Sequence, residues 1–263
     1  MAINVDDVYK TVLYVLNKEQ RGYLTPEEFN KIATQVQLEI FEKYFEDLNQ
    51  YSRIQDNDTE YGNRIDNIEE KLDIFKTNGD CAWNVNEYYE EPDLGTYPAS
   101  IIVNNIPTLP IEFYKLGTVI YNNTEVQRAK PNELLYINKS PLTKPTITYP
   151  VYTYENHRIY VYPKTIVGDT TIPYTPISTT CIRKPQNVKW GYNPGTLGQF
   201  EYDTTEWNGV AGPEGSTNFE LHASEQSEVV LNVLMYAGVI VRDPQIVQMA
   251  SQKAQQDEVS EKS

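Results

Sequence analysis

Histidine and cysteine are nearly missing from this chain, with two of each in 263 residues: His157, His222, Cys81 and Cys181. Neither cysteine sits in a C-x-x-C pair or beside a histidine, which argues against a zinc-finger or thioredoxin-like motif. Both are expected as reduced, half-buried thiols. The signatures H-E-x-x-H, G-x-S-x-G and the G-K-[ST] phosphate loop do not occur, so no nucleophile, zincin or nucleotide motif is marked. No apolar run reaches the roughly 18 residues of a membrane span. The N-terminus, "MAINVDDVYK", lacks the basic start and apolar stretch of a signal peptide, so a protein made in a cytoplasm and not secreted by the usual route is expected.

Positive charge is also scarce. Lys and Arg number 22 against 37 Asp and Glu, a net of −15. The excess lies at the two ends. Residues 1–80 carry −8, residues 81–199 carry +1 and residues 200–263 carry −8. Such a chain has no counterion-releasing patch for a phosphate backbone, which disfavours sequence-independent nucleic-acid binding. It is compatible with a surface past which DNA slides without sticking.

What is present divides by texture. Val5, Val8, Tyr9, Val12, Val15 and Leu16 recur at helical spacing and predict an amphipathic helix. A second helix is predicted from Thr25, with Pro26 at its first position and Thr25–Glu28 as a capping box. It carries one stripe of Phe29, Ile32, Ala33, Val36, Ile40 and Tyr44, and a flanking one of Leu38, Phe41, Phe45 and Leu48. After a polar break at 51–59, Tyr61, Ile65, Ile68, Leu72 and Phe75 follow the 4-3-4-3 period of a short bundle helix or self-associating seam.

From about residue 80 the helical period stops and prolines and tyrosines become dense. "IEFYKLGTVIY" and "NELLYIN" read as short strands. "TITYPVYTYENHRIYVYP" reads as a hairpin turning near Glu155–Asn156. "TTIPYTP" and "TTCIRKP" read as edge or irregular strands because of their prolines. Residues 191–218 are glycine-rich, without a regular pattern, and a loop of that length is usually functional or contact-making. The helical period returns in "SEQSEVVLNVLMYAGVIV", apolar nearly all round, with Gly238 as the expected C-cap. A further helix is predicted after Asp243–Pro244.

The fold class expected is α+β: a helical bundle from the N- and C-terminal helices with an inserted Tyr-rich antiparallel β sandwich or barrel-like unit. The divisions are 1–79 (N-terminal helices), 80–218 (β-rich insert with the loop 191–218), 219–257 (C-terminal helices packing on the N-terminal region) and 258–263 (tail).

The stretch "NKEQRGYLTPEE" resembles a calcium-binding loop in outline, with Asn17, Glu19 and Glu28 as its candidate ligands and Gly22 at the turn. Arg21 stands where an oxygen ligand belongs and brings a fixed positive charge. The reading is a degenerate, non-binding loop, and no metal or cofactor is expected. Glu90–Glu91 with Glu112 could imitate a glycosidase carboxylate pair, but among 37 acids such proximity arises by chance. Tyrosine is the outstanding residue, 21 in number. It gives broad contact area with a polar tip. Tyr152, Tyr154, Tyr160, Tyr162 and Trp190 are the expected contact positions.

"VYKTVLYVLNKEQRGYLTPEEFNKIATQVQLEIFEKYF", "HRIYVYPKTI" and "FELHASEQSEVVLNVLMYAGVIVRDPQIVQMA" together resemble virion proteins of tailed bacteriophages, crAss-like phages above all. They look like the neck and tail-ring proteins that stack below the portal as a head–tail connector. The resemblance implies a non-enzymatic structural protein of the virion neck or tail, assembled in the host cytoplasm. It implies cyclic homo-oligomers, commonly twelvefold, that contact the portal protein and neighbouring tail or ring proteins. Genomic DNA is then only passing cargo in an ejection channel, and no membrane is involved. The alternative from the tyrosines is a tail-associated β module that binds carbohydrate or protein. A hydrolase with an unmarked carboxylate pair is a third.

Overall fold

The computed structural model describes residues 3–18, 24–51, 64–84, 86–91, 112–168, 176–195, 198–207, 212–241, 248–253 and 255–256. The fold is mixed α+β with predominantly antiparallel sheets. In chain order it begins with α1 (Val5–Lys18), α2 (Pro26–Tyr51) and α3 (Arg64–Asp73). Next come β1 (Lys76–Asp80), β2 (Trp83–Asn84), β3 (Tyr88–Glu90), β4 (Phe113–Tyr121), β5 (Thr124–Glu125) and β6 (Gln127–Arg128). Then follow α4 (Pro131–Ile137), β7 (Val151–Glu155), β8 (Arg158–Tyr162), β9 (Ile177–Arg183), β10 (Tyr192–Pro194), β11 (Phe200–Tyr202) and α5 (Gln226–Val241). The chain divides into two compact units, Met1–Ile74 with Pro185–Ser263, and Phe75–Lys184. Residues 185–218, assigned from sequence to the β insert, therefore belong with the helices.

In the first unit the helical periodicities become packing. Val5, Val8, Tyr9, Val12 and Leu16 of α1 are buried, as are Phe29, Ile32, Ala33, Val36, Ile40, Phe41 and Tyr44 of α2. The wide apolar face of α2 is used by two neighbours, α3 and α5, and α5 also packs on α1. No residue of α5 from Glu228 to Gly238 is exposed, as its all-round apolar sequence requires. Gly238 is not the C-cap. The helix runs on to Val241, and Gly238 lies buried in its interior beside Ala237. The seam read from Tyr61 to Phe75 shortens to Ile65, Ile68 and Leu72 within α3. Phe75 has left the helix, and Tyr61 lies outside the described residues.

The α2 cap forms as its sequence indicates. Glu28 Oε2 accepts from the Thr25 N–H (3.0 Å) and from Thr25 Oγ1 (2.7 Å), while the Glu28 N–H donates to Thr25 Oγ1 (3.4 Å). Replacing Thr25 with alanine is expected to destabilise the unit by about 1 kcal/mol, read as a lower urea midpoint at unchanged slope.

The second unit holds two sheets, ordered β1-β9-β4-β5 and β2-β3-β8-β7-β6. Among the described residues both have open edges, so neither closes into the barrel-like form expected. One core takes side chains from both: Val119 and Ile177 from the first, Tyr89, Tyr152, Ile159 and Val161 from the second, with Cys81 between them. Both cysteines are buried and free. Burial pushes the Cys81 thiol up to about 12 and the Cys181 thiol up to about 11, so both are poor nucleophiles at neutral pH.

Three strand expectations change. "NELLYIN" forms helix α4, not a strand: Pro131 sits at its start and Glu133 Oε2 reaches back to the Lys130 N–H (3.0 Å). β9 is an internal strand, hydrogen-bonded to β1 and β4, because Pro176 and Pro185 flank it and leave its N–H groups free to pair. The β7–β8 hairpin starts only at Val151, and its turn falls on Asn156–His157, both at positive φ (49° and 62°). That is the two-residue turn whose twist matches paired strands. "TTIPYTP" lies almost wholly outside the described residues.

Candidate functional site

Strand parity separates the four tyrosines named from sequence. In the β7–β8 register Tyr152 faces Val161 and Tyr154 faces Ile159, while Thr153 faces Tyr160 and Val151 faces Tyr162. Ile159 and Val161 point into the core. Tyr152 and Tyr154 therefore share the core face, and Tyr160 and Tyr162 lie on the opposite one. Tyr152 is buried in the chain's own core and cannot be a contact position, which corrects that expectation. Tyr160 and Tyr162 are half-buried. Tyr160 lies beside Tyr88 (centroids 5.8 Å), whose other neighbour is the Arg158 guanidinium at 4.4 Å from the ring. That face is aromatic and cationic.

Trp190 is likewise internal, 4% exposed. Its Nε1–H donates to Asp6 Oδ1 (3.1 Å), its N–H donates to Asn30 Oδ1 (2.7 Å), and its carbonyl accepts from Asn30 Nδ2 (3.3 Å). Its ring meets Tyr9 at 4.5 Å. The signal for this seating lies on α2. Asn30, Thr34 and Gln37 share one helix face at spacings of four and three, and all three bond to the backbone of residues 186–190. Thr34 Oγ1 donates to the Val188 carbonyl (3.3 Å) and Gln37 Nε2 to the Gln186 carbonyl (2.6 Å). Gln37 Oε1 then accepts from the Glu220 N–H (2.9 Å). A polar stripe inside an apolar face is the sequence mark of a strand-like segment docked along the helix.

From Trp190 an aromatic ledge rises toward solvent. Tyr192 and Tyr202 face each other across β10–β11, and both lie near-parallel to Trp190, at 6.1 and 5.7 Å. Phe200 meets Tyr192 edge-on at 4.7 Å and is exposed. The order of exposure runs from the core outward, so the outer rings offer flat apolar faces on a rigid base. This is the part of 191–218 that sequence left without structure.

Asp203 holds the adjoining loop. Its Oδ1 accepts from the Thr205 N–H (3.0 Å) and Thr205 Oγ1 (2.9 Å), and its Oδ2 accepts from the Gly215 N–H (2.9 Å). Those donors, the Thr205 N–H first, hold its carboxyl below the usual range. Gly215 has φ of 76°, and a Cβ there would lie 2.7 Å from Trp207 Cα. A Cβ on Gly191 would lie 2.2 Å from the Gly215 carbonyl oxygen. The two backbones meet where only glycines fit. Lys189 closes the loop, donating to the Glu214 carbonyl (2.7 Å) with its ammonium 4.9 Å from the Trp207 ring.

The carboxylates considered for hydrolysis each have their own partners. Glu91 accepts from the Tyr154 hydroxyl and lies 2.9 Å from His157 Nδ1. Glu90 accepts from Asn84 Nδ2 (3.2 Å), and Glu112 pairs with Lys184 (3.0 Å). These contacts fasten a hairpin and two strand ends. His222 serves as the cap of a short 3-10 turn, accepting from the Ser224 N–H (3.3 Å). In the degenerate calcium loop, Glu28 is engaged by Thr25, whereas Glu19 and the side chain of Asn17 lie outside the described residues. Among the described residues no three His, Cys, Asp or Glu side chains gather as a metal site, and no helix is long and apolar enough to cross a membrane. No protein-family model and no curated protein sequence matches the chain.

Proposed function

We propose that this protein is a non-enzymatic structural subunit of a ring in the neck or tail of a tailed phage, joining portal to tail and forming part of the DNA channel. In this reading the terminal helices form a bundle, and the two sheets form a tyrosine-rich sandwich inserted in it. Copies contact each other laterally and the portal and neighbouring tail proteins axially. The phrases that resemble crAss-like neck proteins support the assignment, and one structural observation carries it. The unit Phe75–Lys184 holds ten acids and ten bases, whereas the helical unit holds 27 acids and 12 bases, the entire net charge of −15. A surface of the same sign as DNA lets a duplex pass without the counterion release that would hold it. A neutral, aromatic-rich unit is free to make protein contacts.

The test is imaging and native mass spectrometry of the purified chain, alone and with portal. Closed rings of uniform subunit number are expected. Single copies under both conditions, with a glycan raising the melting temperature, would overturn the ring and favour the second reading. That reading is a tail-associated module whose Tyr192–Phe200–Tyr202 ledge stacks on a sugar or a protein side chain, and the exposure of Phe200 is the observation in its favour.

A further inference from the structure

β6 and β7 run parallel, Gln127 beside Val151 and Arg128 beside Tyr152. Parallel neighbours need a crossover, and residues 129–150 supply it. Its backbone is held by its own bonds. The Asn138 N–H donates to the Leu134 carbonyl (3.0 Å), Thr143 Oγ1 to the Ile137 carbonyl (3.0 Å) and the Tyr149 N–H to Thr146 Oγ1 (3.2 Å). Leu134, Pro145 and Pro150 are buried and fix it in place. Five of its other large apolar residues face solvent. Leu135 is 65% exposed, Tyr136 71%, Leu142 96%, Ile147 57% and Tyr149 75%. No other stretch of the described residues exposes so many large apolar side chains in so short a span. Folding of the single chain does not account for them, and grouped exposed apolar side chains mark a contact surface.

Charge identifies what covers them. Residues 130–150 carry Lys130, Lys139 and Lys144 against Glu133, a net of +2 in a chain of −15. The surface that complements a basic, apolar segment is acidic. The helical unit carries all of the excess negative charge and shows an exposed Tyr14 on α1, on the same helix face as Asp7 and Thr11. An anionic membrane is the other surface that suits lysines among aromatics, but it would repel a chain of this net charge.

We propose that residues 131–149 form a contact arm that docks on the acidic helical unit of a second copy of this chain. Arm and receptor are different surfaces, so the contact is heterologous and repeats head to tail. It closes into a ring when the rotation between copies divides a full turn. This rests on the ring reading above and names the contact that builds it.

The experiment compares the full chain with L142D/Y149D and with K139E/K144E by native mass spectrometry, negative-stain imaging and sedimentation velocity at low and high salt. The mutated side chains are largely solvent-facing, so melting temperatures should stay near wild type. If L142D/Y149D is misfolded, the lysine pair carries the test without replacing an apolar residue. L142D/Y149D should weaken self-association roughly a hundredfold. K139E/K144E should weaken it less and remove most of its salt sensitivity. Wild-type rings that persist in both variants would overturn the arm and leave the ring reading standing. An arm-dependent assembly of two copies would keep the arm and sink the ring. Single wild-type copies at every concentration, alone and with portal, would overturn both. Binding to phosphatidylserine vesicles that L142D/Y149D abolishes, without self-association, would make the segment a membrane contact and overturn the proposal.

Discussion

Replacing Trp190 with alanine is expected to destabilise the helical unit by about 3–5 kcal/mol, the range for emptying a buried tryptophan site. The loss has three parts. A cavity opens between Tyr9, whose ring meets the indole at a tilt, and Tyr192 and Tyr202, which stack on it. Asp6 Oδ1 loses the Nε1–H donor. The ledge of Tyr192, Tyr202 and Phe200 loses its base, so any contact made there should weaken with it. Trp190→Phe separates these effects, because it keeps a ring but gives Asp6 no donor. Its cost should be about 1–2 kcal/mol, in line with a lost hydrogen bond and a smaller void. Urea unfolding followed by far-UV circular dichroism measures both. An alanine variant as stable as wild type would show that Trp190 is not the pivot of residues 185–218.

Replacing Lys71 with methionine should be nearly as damaging, with a pH dependence that identifies the cause. Lys71 Nζ, on α3, pairs with Glu225, which is buried. Burial pushes the Glu225 carboxyl up, but the hydrogen bond and charge of Lys71 outweigh it and hold the group below its ordinary value. Glu228, one turn on, is pushed up by burial and by Glu225, against the pull of Lys43 at 3.0 Å. In wild type the Glu225 contribution is fully present above the unfolded carboxyl value, near 4.3. It is lost as pH falls through the lower folded value. In Lys71→Met that attraction is gone while burial remains, opposed only by the hydrogen bonds of Glu228 and Ser224, so the folded value rises from its wild-type position. The charged carboxylate then costs more at neutral pH than when protonated. The deficit should be about 3 kcal/mol at pH 7, the cost of stranding a buried charge, and should shrink as pH approaches 5. Urea titrations at the two pH values decide it. An equal deficit at both would assign the loss to packing of the lysine stem.

How much of this was legible in sequence depends on the range of the interaction that fixes each element. Thr25, Pro26 and Glu28 specify the start of α2 because a cap is made within one turn. The stripes of α1 and α2 were visible because a helix repeats its face every few residues. "NELLYIN" reads as a strand because its leucines and tyrosine suit either state, and the local device that decides, Pro131 with Glu133, is two side chains wide. The tyrosines of "VYTYENHRIYVY" were legible as strand residues. Which of the two faces turns inward was not, because both carry tyrosines and only packing against the other sheet decides: Tyr152 lies in the core with Val119 and Ile177, and Tyr160 and Tyr162 alternate to the opposite face.

Residues 185–218 show the other limit. Their glycines and lack of period read as a loop, since no repeat within the segment encodes its partners. The partners are on α2, some 150 residues away: Asn30, Thr34 and Gln37 supply the donors and acceptors that an isolated strand would take from a sheet neighbour.

The sequence by itself determined the mixed α+β class, the placement of the terminal helices, the cap of α2 and the concentration of negative charge toward the two ends. Each follows from composition or from spacing within a few turns. Only the tertiary structure decided that the charge belongs to one unit and the other is neutral. It also decided that Tyr152 and Trp190 are core and that aromatic rings stay exposed at Phe200 and along 131–149. Burial is a property of contacts between distant segments, and no local pattern records which of two apolar faces a neighbour will cover.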